Sequence, residues 1–278
     1  MNVSGKNVVI TGVGSGIGKA LAMLFASKAC NLALNDVNPS RLKETITICQ
    51  SINPKIHIYA QAFDVAVEEL VHGFAKNALE QLGTIDVVIN NAGVALGPTK
   101  VEELQKKDFD WIMGINFWGM VYGTQAFVPH LKTRKEAALI NISSLFGLIG
   151  IAYQAAYCTT KFAIRGFTEA LRMECLHDAP NLTIHTVHPG GVNTNIATDS
   201  KWVLKEERPS DENFNKMLVL PPEKAAQIIV RGIEKKQARI LVGSDAKQGD
   251  LTQRLMPVGY TKIVWKKLAQ IPEIRNMK

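Results

Sequence analysis

Cysteine is scarce in this sequence: four residues in 278, at Cys30, Cys49, Cys158 and Cys175, with no C-x-x-C pair among them. That excludes a disulfide scaffold and a cysteine-rich zinc site, so no metal is expected and the thiols are read as free in a reducing compartment. Long apolar runs are also missing; none approaches the roughly 20 residues that span a bilayer. The opening stretch MNVSGKNVVITG passes straight into a strand-like segment with no signal-peptide core, which leads us to expect a cytoplasmic protein. Linker-like composition, repeats and low-complexity tracts are absent as well, which predicts a single domain over residues 1–278. No G-x-S-x-G elbow occurs: Val13 stands two places before Ser15, and Ser144 lacks flanking glycines, so serine hydrolase chemistry is excluded.

Acidic residues are in deficit, giving a net charge of +7. The excess is uneven, since residues 244–278 hold seven Lys or Arg against three Asp or Glu. Such a field attracts anions without naming them, and no nucleic-acid partner is inferred from it.

With 46% hydrophobic and 21% charged residues, the chain is otherwise ordinary for a globular protein. Short β-branched runs alternate with longer amphipathic ones. NVVIT (7–11), NLALND (31–36), IHIYAQAFD (56–64), IDVVINN (85–91), AALINISS (137–144), LTIHTVHP (182–189) and RILVG (239–243) read as strands. Helical periodicity fills 17–28, 39–52, 67–82, 108–131, 153–176 and 222–236. Strands apolar on both faces and separated by helices predict an α/β fold, a doubly wound Rossmann sheet of about seven parallel strands with helices on both sides. The core covers about 5–243, followed by a basic helical extension at 244–278. One long irregular piece, 190–220, is polar, broken by Pro209, and carries Trp202, Val203 and Leu204; a loop of that length in a compact domain is usually functional.

The first strand runs into TGVGSGIG (11–18). Gly12, Gly16 and Gly18 permit a tight turn and close approach of backbone N–H groups to a pyrophosphate at the start of a helix, with Gly14 as an extra glycine. The spacing is T-G-x-x-x-G-x-G, not the strict G-x-G-x-x-G. Asp36 ends the second strand twenty residues beyond Gly16, where a carboxylate accepts hydrogen bonds from adenosine ribose hydroxyls and repels a 2′-phosphate. Val37 follows where an arginine would grip that phosphate, although Arg41 is near enough to compensate. NAD(H) is therefore expected, with NADP(H) as the alternative.

The stretch YQAAYCTTK (153–161) holds two tyrosines and a lysine. Residues four apart share a helix face, so Tyr157 has Lys161 beside it while Tyr153 has only another tyrosine. A neighbouring cation is expected to lower a phenol from its usual value near 10.

Together these motifs resemble the short-chain dehydrogenase/reductase family, over about residues 5–243. TGVGSGIG matches its cofactor glycine motif, implying contacts from Gly12, Ser15, Gly16, Ile17 and Gly18; Asn91, Ala92 and Gly93 in NNAG match the motif after its fourth strand. Asn116 in INFWG matches the mid-helix asparagine, and Ser144, thirteen residues before Tyr157, matches the catalytic serine, with Ser143 as competitor. Tyr157 and Lys161 complete Y-x-x-x-K, and HPGGVNT (188–194) matches the segment passing the nicotinamide, implying Pro189, Gly190, Val192 and Thr194. The resemblance also implies adenine contacts from Asp64 and the Val65 backbone; a helix cap at Asp64 is compatible with that. It implies Tyr157 as general acid/base, Lys161 on the nicotinamide ribose, Ser144 on the substrate oxygen, and Asn116 ordering a water that relays protons. Homodimers or homotetramers through the helices at 108–131 and 153–176 are implied too. Cys158 and Thr160 replace the small residues usual between Tyr and Lys.

LFGLIGIA (145–152), residues 188–192 and the 190–220 loop are expected to recognise substrate. Apolar walls with a Ser/Tyr polar end suit a hydrophobic secondary alcohol or ketone better than a sugar; the alternative is that LFGLIGIA packs beneath the sheet edge. In the tail, Tyr260, Ile263, Val264, Leu268 and Ile271 fall on one arc opposite Lys262 and Lys266, a pattern that packs on its own domain or a subunit, or lies on an anionic membrane. The layout is similar to secondary-alcohol dehydrogenases and to NADP(H)-dependent long-chain aldehyde or fatty-acyl-CoA reductases of that family. A non-catalytic dinucleotide sensor on the same fold is the rival of another class.

Overall fold

The computed structural model describes residues 1–196, 199, 201 and 219–270. Trp202, Val203, Leu204 and Ile271, singled out above, lie outside them, as does most of the 190–220 loop.

Seven parallel strands form one sheet in the order β3-β2-β1-β4-β5-β6-β7. They are β1 (Asn7–Thr11), β2 (Asn31–Asp36), β3 (Ile58–Ala62), β4 (Val87–Asn90), β5 (Ala137–Ile142), β6 (Leu182–Pro189) and β7 (Arg239–Val242). The helices are α1 (Gly16–Ser27), α2 (Pro39–Ile52), α3 (Glu68–Leu82), α4 (Lys106–Met113), α5 (Gly119–Lys132), α6 (Ala155–Asp178) and α7 (Pro222–Glu234), then α8 (Ser244–Leu255) and α9 (Tyr260–Leu268) in the extension. Alternation along the strands supplies both cores. Val8, Ile10, Leu32 and Leu34 face Leu21 and Phe25 of α1 and Ile229 of α7, whereas Val9, Ala33 and Val88 face Phe74 of α3 and Phe127 of α5. The order reverses direction at β1 and β4, so the crevice beyond their carboxyl ends is where such a sheet accepts a ligand.

A buried polar chain ties the centre of the sheet to α6. Asn90 Nδ2 donates to Asn141 Oδ1 at 2.9 Å, Asn141 Nδ2 to Thr168 Oγ1 at 3.0 Å, and Thr168 Oγ1 to the Ile164 carbonyl at 2.6 Å. Removing a donor leaves an acceptor buried and unmet. Asn90→Ala is expected to lower stability by about 1–3 kcal/mol, read as a drop in Tm that the exposed control Lys106→Ala does not show.

Two sequence expectations are revised. The single helix over 108–131 is α4 and α5 joined by a π-turn at Gly114–Trp118. Asn116 sits in that turn, fastened to the Val94 backbone by Nδ2→O at 2.9 Å and Val94 N→Oδ1 at 2.8 Å, and the extra residue lets it reach inward while both flanks keep helical packing. The helical extension expected from residue 244 divides into two helices, α8 and α9. Tyr260 and Val264 are half-buried and Leu268 is buried against the domain, while Ile263 turns outward.

Candidate active site

The glycine segment is shaped as a cradle. Gly12 and Gly16 take φ of +69° and +53°, in the left-handed region that favours glycine. A Cβ on Gly12 would stand 2.7 Å from the Ala92 backbone, and one on Gly16 would stand 2.9 Å from Thr194 Cγ2. Ser15, the residue before α1, makes no side-chain cap, and the first turn of α1 has no acidic residue. An uncapped helix start lined by glycine presents N–H groups to an anion. Asn91 locks the rear of the cradle, its Nδ2 donating to the carbonyls of Thr11 and Gly12 at 2.9 Å each. Thr11 Oγ1 accepts from the Asn91 and Ala92 amides at 3.1 Å.

At the cradle's outer end Asp36 is half-buried and oriented by backbone, Oδ2 accepting from Gly14 N at 2.7 Å and Oδ1 from Asn38 N at 2.8 Å. Each oxygen keeps a lone pair for further donors. Arg41, the residue positioned to compensate for a 2′-phosphate, is instead taken up by Asp199, to which Nη1 and Nη2 donate at 2.5 and 3.2 Å. Asp64 accepts from Ala66 N at 2.9 Å, and Val67 is the residue before α3, so Asp64 shapes the turn and is not the helix cap itself. Val65 is buried against Gly119.

At the inner end, α6 carries Tyr157 and Lys161 one turn apart, Nζ lying 5.4 Å from the phenol ring centroid. Lys161 is 3% exposed, and its Nζ donates to the Ile142 carbonyl at 3.2 Å. Asn116 meets the same helix, Nδ2 donating to Thr160 Oγ1 at 3.1 Å. Gly93 closes the corner: a Cβ there would stand 3.3 Å from Asn116 Oδ1 and 3.4 Å from Lys161 Nζ.

The two candidate serines are told apart by their surroundings. Ser143 is buried and donates to the Lys161 carbonyl at 2.8 Å, so its hydroxyl is spent on holding α6. Ser144 is half-buried, accepts from Phe146 N at 3.1 Å, and hydrogen-bonds the Tyr157 side chain.

The acidification expected from Lys161 is not what the protein groups produce. Burial pushes the Tyr157 phenol up to about 12, Ser144 opposing the rise, and Lys161 is not among the groups acting on it. Burial pulls Lys161 down to about 8. Sequence spacing showed the neighbour but not the low-polarity setting that outweighs it. Desolvation likewise raises all four free thiols, Cys158 included, which leaves them protonated and unreactive.

Of two supporting residues, Asp245 escaped the sequence reading, and His188, expected among the substrate-recognising residues 188–192, has a different role. His188 Nδ1 contacts the Ser144 carbonyl at 2.9 Å, and burial holds its pKa near 4, so it is a neutral brace beneath the serine. Asp245, on α8, accepts from Gly191 N at 2.6 Å and fixes the segment holding Pro189, Gly190 and Val192. Both contacts join residues more than forty positions apart, for which no local pattern exists.

LFGLIGIA divides between its two expected roles. Leu148 and Ile149 are buried, as packing beneath the sheet requires. Leu145 and Phe146 stay half-open, Phe146 meeting the Tyr157 ring edge-on at 6.1 Å between centroids.

Residues 6–202 match the sequence profile described as short chain dehydrogenase. The chain belongs to that family. It is an oxidoreductase acting on CH–OH donors. Among relatives, the Mycobacterium tuberculosis protein SadH, named as an oxidoreductase, is 41% identical over 262 residues, covering 94% of each chain. The mouse 3-ketodihydrosphingosine reductase is 31% identical over 259 residues, covering 91% of this chain and 76% of the relative. Among solved structures, a short chain dehydrogenase/reductase from Burkholderia phymatum in complex with NAD superposes with a TM-score of 0.83 at 25% identity, over 92% of this chain and 95% of the other.

Proposed function

We propose that the protein moves a hydride between NAD(H) and a hydrophobic secondary alcohol or ketone, with Tyr157 as the proton-exchanging group. The observation that carries this reading is the convergence of Tyr157, Ser144 and Lys161 beside an apolar wall, at the inner end of a cradle whose glycines leave no room for side chains. That cradle fits a dinucleotide: Gly12, Ser15, Gly16, Ile17 and Gly18 would hold the pyrophosphate, Asp36 the adenosine ribose, and Asp64 with Val65 the adenine. Asn91, Ala92 and Gly93 with Pro189, Gly190, Val192 and Thr194 would flank the nicotinamide half.

When bound, the nicotinamide supplies or accepts the hydride. Ser144 donates to the substrate oxygen and holds it against the phenol. Tyr157 gives a proton to that oxygen in reduction and takes one in oxidation. Lys161, its Nζ 5.4 Å from the phenol ring centroid, would orient the ribose and supply a cation to the pocket. Asn116, fixed in the π-turn, orders the route by which a proton leaves towards solvent.

Asp36 and the engagement of Arg41 with Asp199 support NAD(H) over NADP(H), and hence over the NADP(H)-linked aldehyde or acyl-CoA reductase alternative. Asp36→Ala is expected to narrow the ratio of kcat/KM for NAD to that for NADP at least about tenfold by removing the repulsion at the 2′ position; an unchanged ratio would discard this reading. The presence of both tyrosine and lysine, one turn apart on α6, argues against a non-catalytic sensor. Trp118, closing the π-turn before α5, and Phe162 on α6 stay 47% and 41% exposed, which supports homodimers or homotetramers through the helices at 108–131 and 153–176.

The test is absorbance at the NADH band with secondary alcohols and ketones of increasing chain length. Rising kcat/KM with added methylenes is expected from the apolar wall, and a preference for polyols would overturn it.

A further inference from the structure

The extension has an inner and an outer side. Inside, α8 passes so close to the substrate wall that a Cβ on Gly249 would stand 2.5 Å from Leu145 Cδ1, and the Tyr260 hydroxyl accepts from Gly150 N at 2.9 Å. Outside, Leu251 and Leu255, one turn apart, lie opposite the buried Ala246 and Asp250. Leu255 is 72% exposed, and the chain goes on through exposed Met256 to Val258 at 80%. Four large apolar side chains within eight residues thus face water, a concentration that soluble surfaces avoid unless something covers it.

Along the chain from this tip the charge has one sign. From Leu251 to Gln270 the chain carries Arg254, Lys262, Lys266 and Lys267 and no Asp or Glu. The three lysines are exposed; Arg254 is met by Asp250 at 3.0 Å. Among the described residues, no helix is long and apolar enough to cross a membrane, so any contact with lipid would be at its surface.

We propose that residues 251–267 are a docking surface for an anionic lipid bilayer, with Leu255 and Val258 entering the headgroup boundary and the lysines meeting the headgroups. A second copy of this chain is the weaker partner, because apposing the same surface would bring two cationic tips together. An anionic bilayer supplies the opposite charge and an apolar interior at once. On its inner side the same extension packs on Leu145 and Gly150, so docking by the outer side would hold the substrate wall one helix away from the lipid. That consequence rests on the proposed apolar substrate; the docking itself does not.

Co-sedimentation with vesicles reads the proposal directly and needs neither dinucleotide nor substrate, so its result stands apart from the hydride-transfer reading. The full chain is expected to pellet with phosphatidylcholine vesicles containing phosphatidylglycerol, much less with phosphatidylcholine alone, and to release as salt rises. Leu255→Asp combined with Val258→Asp is expected to weaken pelleting at least about tenfold, with circular dichroism and thermal melting unchanged. Lys262→Glu with Lys266→Glu should remove the preference for anionic vesicles. Failure of the full chain to pellet, equal pelleting of the aspartate variant, or equal binding to both vesicle types would overturn the proposal. Conversion of a larger oligomer to a smaller one by the aspartate variant in light scattering would assign the surface to a second copy instead.

Discussion

Tyr157→Phe is expected to lower kcat by about 10²- to 10⁴-fold while the affinity for NADH, followed by fluorescence titration, stays near that of the parent. The substitution removes one hydroxyl and keeps the ring that meets Phe146, so the wall and α6 are preserved. The direction of the pH dependence follows from the burial of the pair. With the phenol pushed up to about 12, its protonated form, the proton donor for reduction, predominates at neutral pH. Oxidation needs the phenolate, whose fraction rises about tenfold for each pH unit below the pKa. The oxidation rate should therefore climb with pH, then less steeply once Lys161 loses its proton at about 8. Reduction should be flat from neutral pH to that point. Parental turnover in the Tyr157→Phe enzyme, or a pH-independent oxidation rate in the parent, would remove Tyr157 from the chemistry.

Lys161→Met should separate activity from stability. A loss in kcat of at least about 10²-fold is expected, as for removal of a preorganised electrostatic group. Stability at neutral pH should hold or improve, because the amine is 3% exposed and its burial pulls the pKa from 10.5 to about 8. A shift of that size corresponds to a folded-state penalty on the order of 3 kcal/mol for keeping the proton, offset in part by the bond to the Ile142 carbonyl. The folded protein binds fewer protons at this site than the unfolded chain between those two values, so stability rises with pH across that window, and Lys161→Met abolishes the rise. Calorimetry of parent and variant at neutral pH and near pH 9–10 checks this. A fall in Tm of several degrees, with activity lost only in proportion to unfolding, would show that the lysine is structural.

How much of this was legible beforehand depends on the range of the interaction. The sheet was readable because Val8, Val9 and Ile10 are apolar on both faces, and the cradle because glycine punctuates a strand-to-helix turn. Asp36 stood out by its distance in sequence from Gly16. The π-turn was hidden, since one extra residue in a helix barely alters the apolar period. Ser143 and Ser144 are adjacent and chemically alike; only the path of α6 decides which one meets the phenol and which one is spent on Lys161. Burial of Tyr157 is a property of the packed whole, which is why a spacing rule pointed its pKa the wrong way. Asp245 acts across the fold and leaves no trace in its own neighbourhood, and the HPGGVNT motif gives no sign of the contact between His188 and the Ser144 carbonyl.

All seven strands run in one direction, so the cradle, the phenol and the apolar wall gather at a single rim. The opposite rim is closed by other means: Asn7 Nδ2 donates to the Thr84 carbonyl at 2.7 Å, Arg134 pairs with Asp86 at 3.0 Å, and Asn181 Nδ2 reaches the Arg134 carbonyl at 2.6 Å. Among the described residues, none of these contacts involves the reacting groups. Because the four native thiols are buried, coupling to an electrode or bead through a Lys235→Cys thiol, at an exposed position, would leave the reactive mouth turned outward, giving an oriented layer in place of a random one.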